Sequence, residues 1–155
     1  MAEVFIAAAP GEEAQARGLA EALGLLGFDA AAGTPNESDI VKLPESAKAI
    51  VAVWSRATSN APWLAALGML ALERKKLISV EFDKDASPAP FHGAPRIDLA
   101  ARDRAKFKTA FQALVAELEK LTPVKHEPTA LLDAVAKARG EVLKPTRIAP
   151  APQWR

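Results

Sequence analysis

The sequence predicts an α/β fold in which a parallel five-stranded sheet carries helices on both faces. Short, continuously apolar segments, typical of strands buried on both sides, alternate with segments whose apolar residues recur every three or four positions. The connections between them are short, as in crossover units that join parallel strands through a helix. With 155 residues, 50% hydrophobic and 25% charged, the chain has the length and composition of one folded domain.

The first strand and helix are predicted from the opening residues. Residues 4–9 are apolar without interruption, and the turn that begins at Pro10 leads into a helix expected to reach about Leu26. Acidic residues follow that turn and suit the positive end of the helix. Gly27 is expected to cap the helix, and residues 28–31 to form a weak second strand.

The next segment combines a loop with a short helix. Residues 33–38 are rich in loop-forming types, and either Asn36 or Ser38 is expected to cap a helix that runs to about Ala47. Pro44 lies inside that segment. Because proline lacks the N–H that a helix interior needs, we expect it to interrupt the helix.

The remaining sheet is predicted from three strand patterns and two helix patterns. Residues 49–54 are the clearest buried strand, and a helix is expected from Pro62 to about Arg74. Strands follow at 77–82 and 96–99. The last long helix spans about 102–121, where five apolar residues spaced three or four apart share one face: Phe107, Phe111, Leu114, Leu118 and Leu121.

A composition change after Leu121 divides the chain into a five-stranded domain, 1–121, and a proline-rich extension, 122–155. Residues 128–139 are predicted to form one helix that ends at Gly140. We expect this helix to pack back onto the domain, and the alternative is a free segment that binds a partner. Residues 141–155 are expected to be extended.

Composition and charge exclude several classes of protein. Twenty basic and nineteen acidic side chains leave a net charge of +1, so no global field attracts nucleic acid or anionic lipid. The absence of cysteine excludes disulfides and cysteine-based metal sites. Glu3 stands where an export signal would be basic, and no window approaches the ~20 apolar residues that cross a bilayer. We expect a cytoplasmic protein that binds no nucleic acid and does not insert into membranes.

Several short motifs together resemble the Toll/interleukin-1 receptor (TIR) domains, specifically their bacterial members. The resemblance covers about residues 3–121 and depends on the order and spacing of five pieces rather than on any one of them. These pieces are Val4-Phe5-Ile6, Gly27-Phe28, the strand from Ala47 to Ser55, Ser59-Asn60-Ala61-Pro62-Trp63, and Lys76-Leu77-Ile78-Ser79-Val80.

The resemblance implies a flavodoxin-like fold with strand order 2-1-3-4-5. It also implies a role in signalling of the kind found in innate immunity, through contacts with other TIR domains or with itself. The loop after the second strand, about Ala32 to Ser38, is often used for such contacts in the family; its central residues here are Gly33, Thr34, Pro35 and Asn36.

Many bacterial and plant TIR domains hydrolyse NAD at the nicotinamide-ribose bond with a glutamate four residues after the Trp that starts the third helix. In this chain that position is Leu67. An isobutyl group can neither hold ribose hydroxyls nor stabilise the positive charge that develops as nicotinamide leaves. The resemblance therefore implies an interaction module with no catalytic residue and no required cofactor.

Two alternatives stay open: an NAD(P) glycohydrolase, or a sensor that binds a nucleotide such as NAD without cleaving it. Ser55 and Ser59 follow the third strand, where sheets of this class place ligands, and Trp63 begins the next helix. Such serines more often close a turn, and such a tryptophan more often plugs the core. His92 and His126 have no partner at metal-ligand spacing, so we expect no metal.

Overall fold

The computed structural model describes residues 3–56, 61–83, 88, 91, 93–100, 103–124 and 128–142. Within this part the chain forms one all-parallel sheet of five strands in the order β2-β1-β3-β4-β5. The predicted α/β, flavodoxin-like fold is thereby confirmed. The strands are β1 (Val4–Ala7), β2 (Ala30–Gly33), β3 (Ala49–Trp54), β4 (Leu77–Glu81) and β5 (Arg96–Asp98).

Five helices accompany the sheet in the described residues. They are α1 (Glu13–Gly24), α2 (Glu37–Ser46), α3 (Pro62–Glu73), α4 (Arg104–Leu121) and α5 (Pro128–Val142). One face of the sheet packs with α1 and α4 around a core that includes Ile6, Leu19 and Phe111. The opposite face packs with α2 and α3 around Trp54, Leu64 and Phe91. The central strands β1 and β3 are thus covered on both sides, as their apolar sequences require.

Four strand predictions were wrong at their ends. Strand β4 ends at Glu81 rather than at residue 82, and β5 ends at Asp98 rather than at residue 99. The second strand begins at Ala30 and includes Gly33, whereas the sequence predicted residues 28–31, followed by a loop that began with Gly33. Alanine-rich segments carry a weak strand signal, and the bounds follow from pairing, with Val4 opposite Ala30 and Ala7 opposite Gly33. The first strand ends at Ala7 rather than at residue 9.

The expected interruption of α2 at Pro44 was also wrong, because the helix is continuous from Glu37 to Ser46. Asn36 caps its amino end by accepting a 3.0 Å hydrogen bond from the N–H of Asp39. At the other end, the ammonium of Lys76 donates to the carbonyl oxygens of Pro44 and Ala47 at 2.8 and 2.7 Å. This external donor satisfies carbonyls that the last turn leaves open.

Several helix ends differ from the prediction by a few residues. Helix α1 ends at Gly24 instead of Leu26, and Gly27 follows with φ 93°, the left-handed conformation that glycine adopts at helix ends. Helix α5 continues through Gly140 to Val142, so the predicted end at Gly140 was wrong. The last turn of α5 packs against α1.

Helix α5 packs mainly against α1, with Ala134 and Ala138 fully buried in the core on that side. Gly18 of α1 lies directly against the side chain of Glu141. The ammonium of Lys137 lies 3.0 Å from the carboxylate of Glu21. Helix α5 therefore packs back onto the domain, as the sequence predicted. Residues 143–155, which were expected to be extended, lie outside the described residues.

None of the helices in the described part of the chain is long and apolar enough to span a membrane.

Candidate functional site

The candidate site lies where the carboxyl ends of β1 and β3 meet. These strands are neighbours in the sheet, yet the chain leaves β1 toward β2 on one side and leaves β3 toward β4 on the other. In open α/β sheets the loops diverge at such a reversal of strand order, and ligands bind between them. We use the name crevice for this end of the sheet, where Glu12 and Ser55 lie.

A buried carboxyl and a buried hydroxyl meet at this crevice. The hydroxyl of Ser55, which follows β3, donates a 2.7 Å hydrogen bond to Oε1 of Glu12, which precedes α1. Ser55 is fully buried and Glu12 is only 6% exposed. Glu12 stands at the N-cap position, but its side chain makes no capping hydrogen bond to the helix. Its carboxyl is thus committed to Ser55 instead of to the helix end.

The surroundings of Glu12 favour its protonated form. Burial is the largest cause that raises its pKa, and the charge of Asp83 raises it further, whereas the hydrogen bond from Ser55 opposes both. Asp83 is held at the same edge of the sheet, because its Oδ2 accepts a 2.8 Å hydrogen bond from the N–H of Arg56. A carboxyl with a raised pKa near a crevice is suited to hold a ligand hydroxyl or to donate a proton.

The predicted interaction loop is braced against the turn after β1. The hydroxyl of Thr34 donates to the carbonyl of Ala8 at 2.7 Å, and its N–H donates to Oε2 of Glu13 at 3.2 Å. Pro35 is buried and Asn36 is exposed. The exposed tip of the loop is therefore small, and its backbone is held by contacts within the domain.

Leu67 does not point into a solvent-filled cleft. It is fully buried in the core between α3 and the sheet, together with Leu64, Trp54 and Phe91. Trp63 is half-buried and packs against the edge of the same core. Ser59, His92 and His126 lie outside the described residues. The structure therefore brings Ser55 to the crevice and places Leu67 in the core.

Sequence reasoning assigned Glu12 to the helix end and Ser55 to a turn, and so missed their contact. The two residues are 43 positions apart. A signal was present: Ser55 directly follows β3, Glu12 lies in the turn after β1, and the two strands were expected to be neighbours. Among the described residues, no group of three or more histidine, aspartate or glutamate side chains is placed to hold a metal ion.

A scan against protein-family models and a search of curated proteins each returned no match. The relation to TIR domains therefore depends on the sequence motifs named above.

Proposed function

We propose that this chain is a TIR-type protein-interaction module for signalling that does not cleave NAD. One observation carries the proposal: Leu67, at the position of the family's catalytic glutamate, is fully buried among apolar side chains. The scaffold is kept while the charge that stabilises the departing sugar cation is replaced by a core residue.

The loop after β2 supports an interaction role. Its backbone is held by Thr34, which contacts both Ala8 and Glu13. A segment that is already ordered loses less conformational entropy when a partner binds. Asn36, exposed at the tip, is the residue we expect at the centre of a contact with another TIR domain or a second copy.

The test is sedimentation velocity of the purified chain over a wide concentration range, alone and mixed with TIR domains. Asn36→Asp keeps an oxygen that caps α2 but adds a charge to the loop tip, so it should weaken association. Gln112→Glu adds the same charge at an exposed position of α4 and is the matched control. A chain that stays monomeric and binds no TIR domain would contradict the proposal.

The contact between Glu12 and Ser55 favours a second candidate function, the binding or cleavage of a nucleotide such as NAD at the crevice. Glu12 supplies there the carboxyl that position 67 lacks. Incubation with NAD, followed by chromatography, measures base release, and thermal unfolding measures binding. Ligand at a hundred times its dissociation constant should stabilise the fold by about 2.7 kcal/mol. A shift that Glu12→Gln abolishes would favour this candidate, and the absence of any shift would argue against it.

A further inference from the structure

A groove of about 390 Å³ separates the amino-terminal turns of α4 from the carboxyl-terminal half of α5. It is lined by Arg104, Lys108, Leu132, Val135, Ala136 and Arg139. None of these residues belongs to the crevice or to the loop after β2. The groove is therefore a surface that the proposed function does not use.

Basic side chains border the groove on both helices. Arg104 and Lys108 are one turn apart at the start of α4, where the helix dipole adds partial positive charge, and Arg139 faces them from α5. The carboxylate of Asp103 caps α4 by accepting hydrogen bonds from the N–H groups of Ala105 and Lys106 at 2.8 and 3.1 Å, and it also interacts electrostatically with Arg139. The charge of Arg139 is therefore partly balanced, and the positive charge of the groove comes mainly from Arg104 and Lys108. No acidic side chain is among the described residues that line the groove.

The groove also has an apolar centre. Leu132 is 56% exposed, and it lies one turn from Val135 on the same face of α5. Exposed Ala136 extends this apolar surface, and an apolar patch bordered by polar groups is typical of an interaction site. Cations around an exposed leucine fit a ligand that is both apolar and anionic.

We propose that this groove binds an acidic amphipathic helix of a partner protein. Such a helix places apolar residues three and four positions apart against Leu132 and Val135, and its carboxylates against Arg104, Lys108 and Arg139. Residues 143–155 of this chain do not fit, because they carry three basic and no acidic side chains. A concave groove between two helices also differs from the continuous apolar stripe that a membrane surface requires.

The test uses two labelled synthetic helices of about 18 residues, with leucine at helical spacing and either glutamate or lysine elsewhere. The full chain should bind the glutamate peptide, more weakly as salt rises, and should not bind the lysine peptide. Nuclear magnetic resonance shifts should map to the amides of residues 104–108 and 132–140. Equal binding of both peptides, or of neither, would overturn the proposal.

Matched variants locate the site. Lys108→Glu should lower the affinity for the glutamate peptide roughly tenfold, and Lys42→Glu, at an exposed lysine of α2, should not. Leu132→Asp should abolish binding, whereas Val41→Asp, at an exposed apolar residue of α2, should leave it intact. If the two variants of each pair lowered the peptide affinity equally, the peptide would bind elsewhere and the proposal would be overturned. Preference for vesicles of phosphatidylglycerol and phosphatidylcholine over the peptide would also overturn it.

Discussion

The hydroxyl of Ser55 donates a 2.7 Å hydrogen bond to the carboxyl of Glu12 and thereby joins the end of β3 to the turn after β1. Both residues are buried at the point where the strand order reverses. An ionisable group shielded from water is costly to the fold when it is charged. Its effect on stability is therefore measurable by changing pH, independently of any ligand.

Glu12→Gln should flatten the pH dependence of unfolding. Burial raises the pKa of Glu12 in the folded chain, so between its unfolded value, 4.5, and that higher folded value the folded state binds more protons than the unfolded state. The free energy of unfolding therefore falls as pH rises through this window. Glutamine keeps an oxygen that can accept from Ser55 and carries no charge. Urea unfolding at a series of pH values measures the difference.

Glu73→Gln, at an exposed position of α3, is the control for loss of one charge. If both variants changed the slope equally, the effect would belong to net charge and not to the buried contact with Ser55.

Leu67→Glu should destabilise the chain without creating NAD cleavage. The position is fully buried among apolar side chains, and replacing a core leucine costs about 2–5 kcal/mol even when the new residue is neutral. The new carboxyl should have a raised pKa in the folded state, so the loss should grow as pH rises above ~4.3. Leu67→Gln introduces a polar side chain of the same size that does not ionise, so the difference in unfolding free energy between the two variants measures the cost of the charge. Wild-type stability together with NAD cleavage would show that position 67 opens to a ligand.

Gly68→Ala should destabilise the core between α3 and the sheet by about 1–3 kcal/mol. A Cβ at this position would lie 2.9 Å from the ring of Phe91, which is buried and stacks on Trp54 with ring centroids 5.1 Å apart. Gly24→Ala is the matched control, because a Cβ there meets nothing within 4 Å. That variant should gain up to about 1 kcal/mol from helix propensity. Equal denaturation midpoints would contradict the packing argument.

Ser79→Ala should cost about 1–3 kcal/mol, because it leaves the indole N–H of Trp54 without its acceptor in the core. The two side chains are buried, and Nε1 of Trp54 donates to Oγ of Ser79 at 3.1 Å. The same change in a Trp54→Phe background should cost less, since no donor is left. A double-mutant cycle by chemical unfolding measures the coupling, and additive effects would rule it out.

Gly18→Ala should loosen α5. Alanine normally stabilises a helix relative to glycine, but a Cβ at position 18 would occupy the space of the Glu141 side chain. Hydrogen exchange of residues 128–142 should accelerate. Gly140→Ala, where a Cβ meets nothing within 4 Å, should slow exchange in the same helix. Slower exchange in both variants would mean that α5 tolerates a side chain at position 18.

Local patterns predicted the parts of the fold that local chemistry determines. The apolar run at 49–54 is β3 with the predicted bounds, and Asn36 caps α2 as one of the two expected residues. The start of β2 was missed because three alanines carry little strand preference, and their pairing with β1 sets the bounds. Lys76, whose ammonium binds the carbonyl of Pro44 at the carboxyl end of α2, lies 32 positions away, so no local pattern predicts this contact.

The candidate site was harder to predict than the fold for the same reason. The apolar residue at position 67, four residues after Trp63, could be read from the sequence alone. The contact between Glu12 and Ser55 becomes visible only when β1 and β3 are paired, because each residue alone also suits a helix end or a turn. Burial, which changes the chemistry of Glu12, is a property of the assembled fold.

The hydroxyl of Thr122 donates to the carboxylate of Glu3 at 2.8 Å, across a separation of 119 residues. Helix α5, which covers α1, is translated later still. A ribosome must therefore synthesise nearly the whole described chain before the opening strand and helix are sealed. Until α5 has been made, the surface of α1 that α5 covers stays exposed, and a product truncated before residue 128 would leave it exposed permanently.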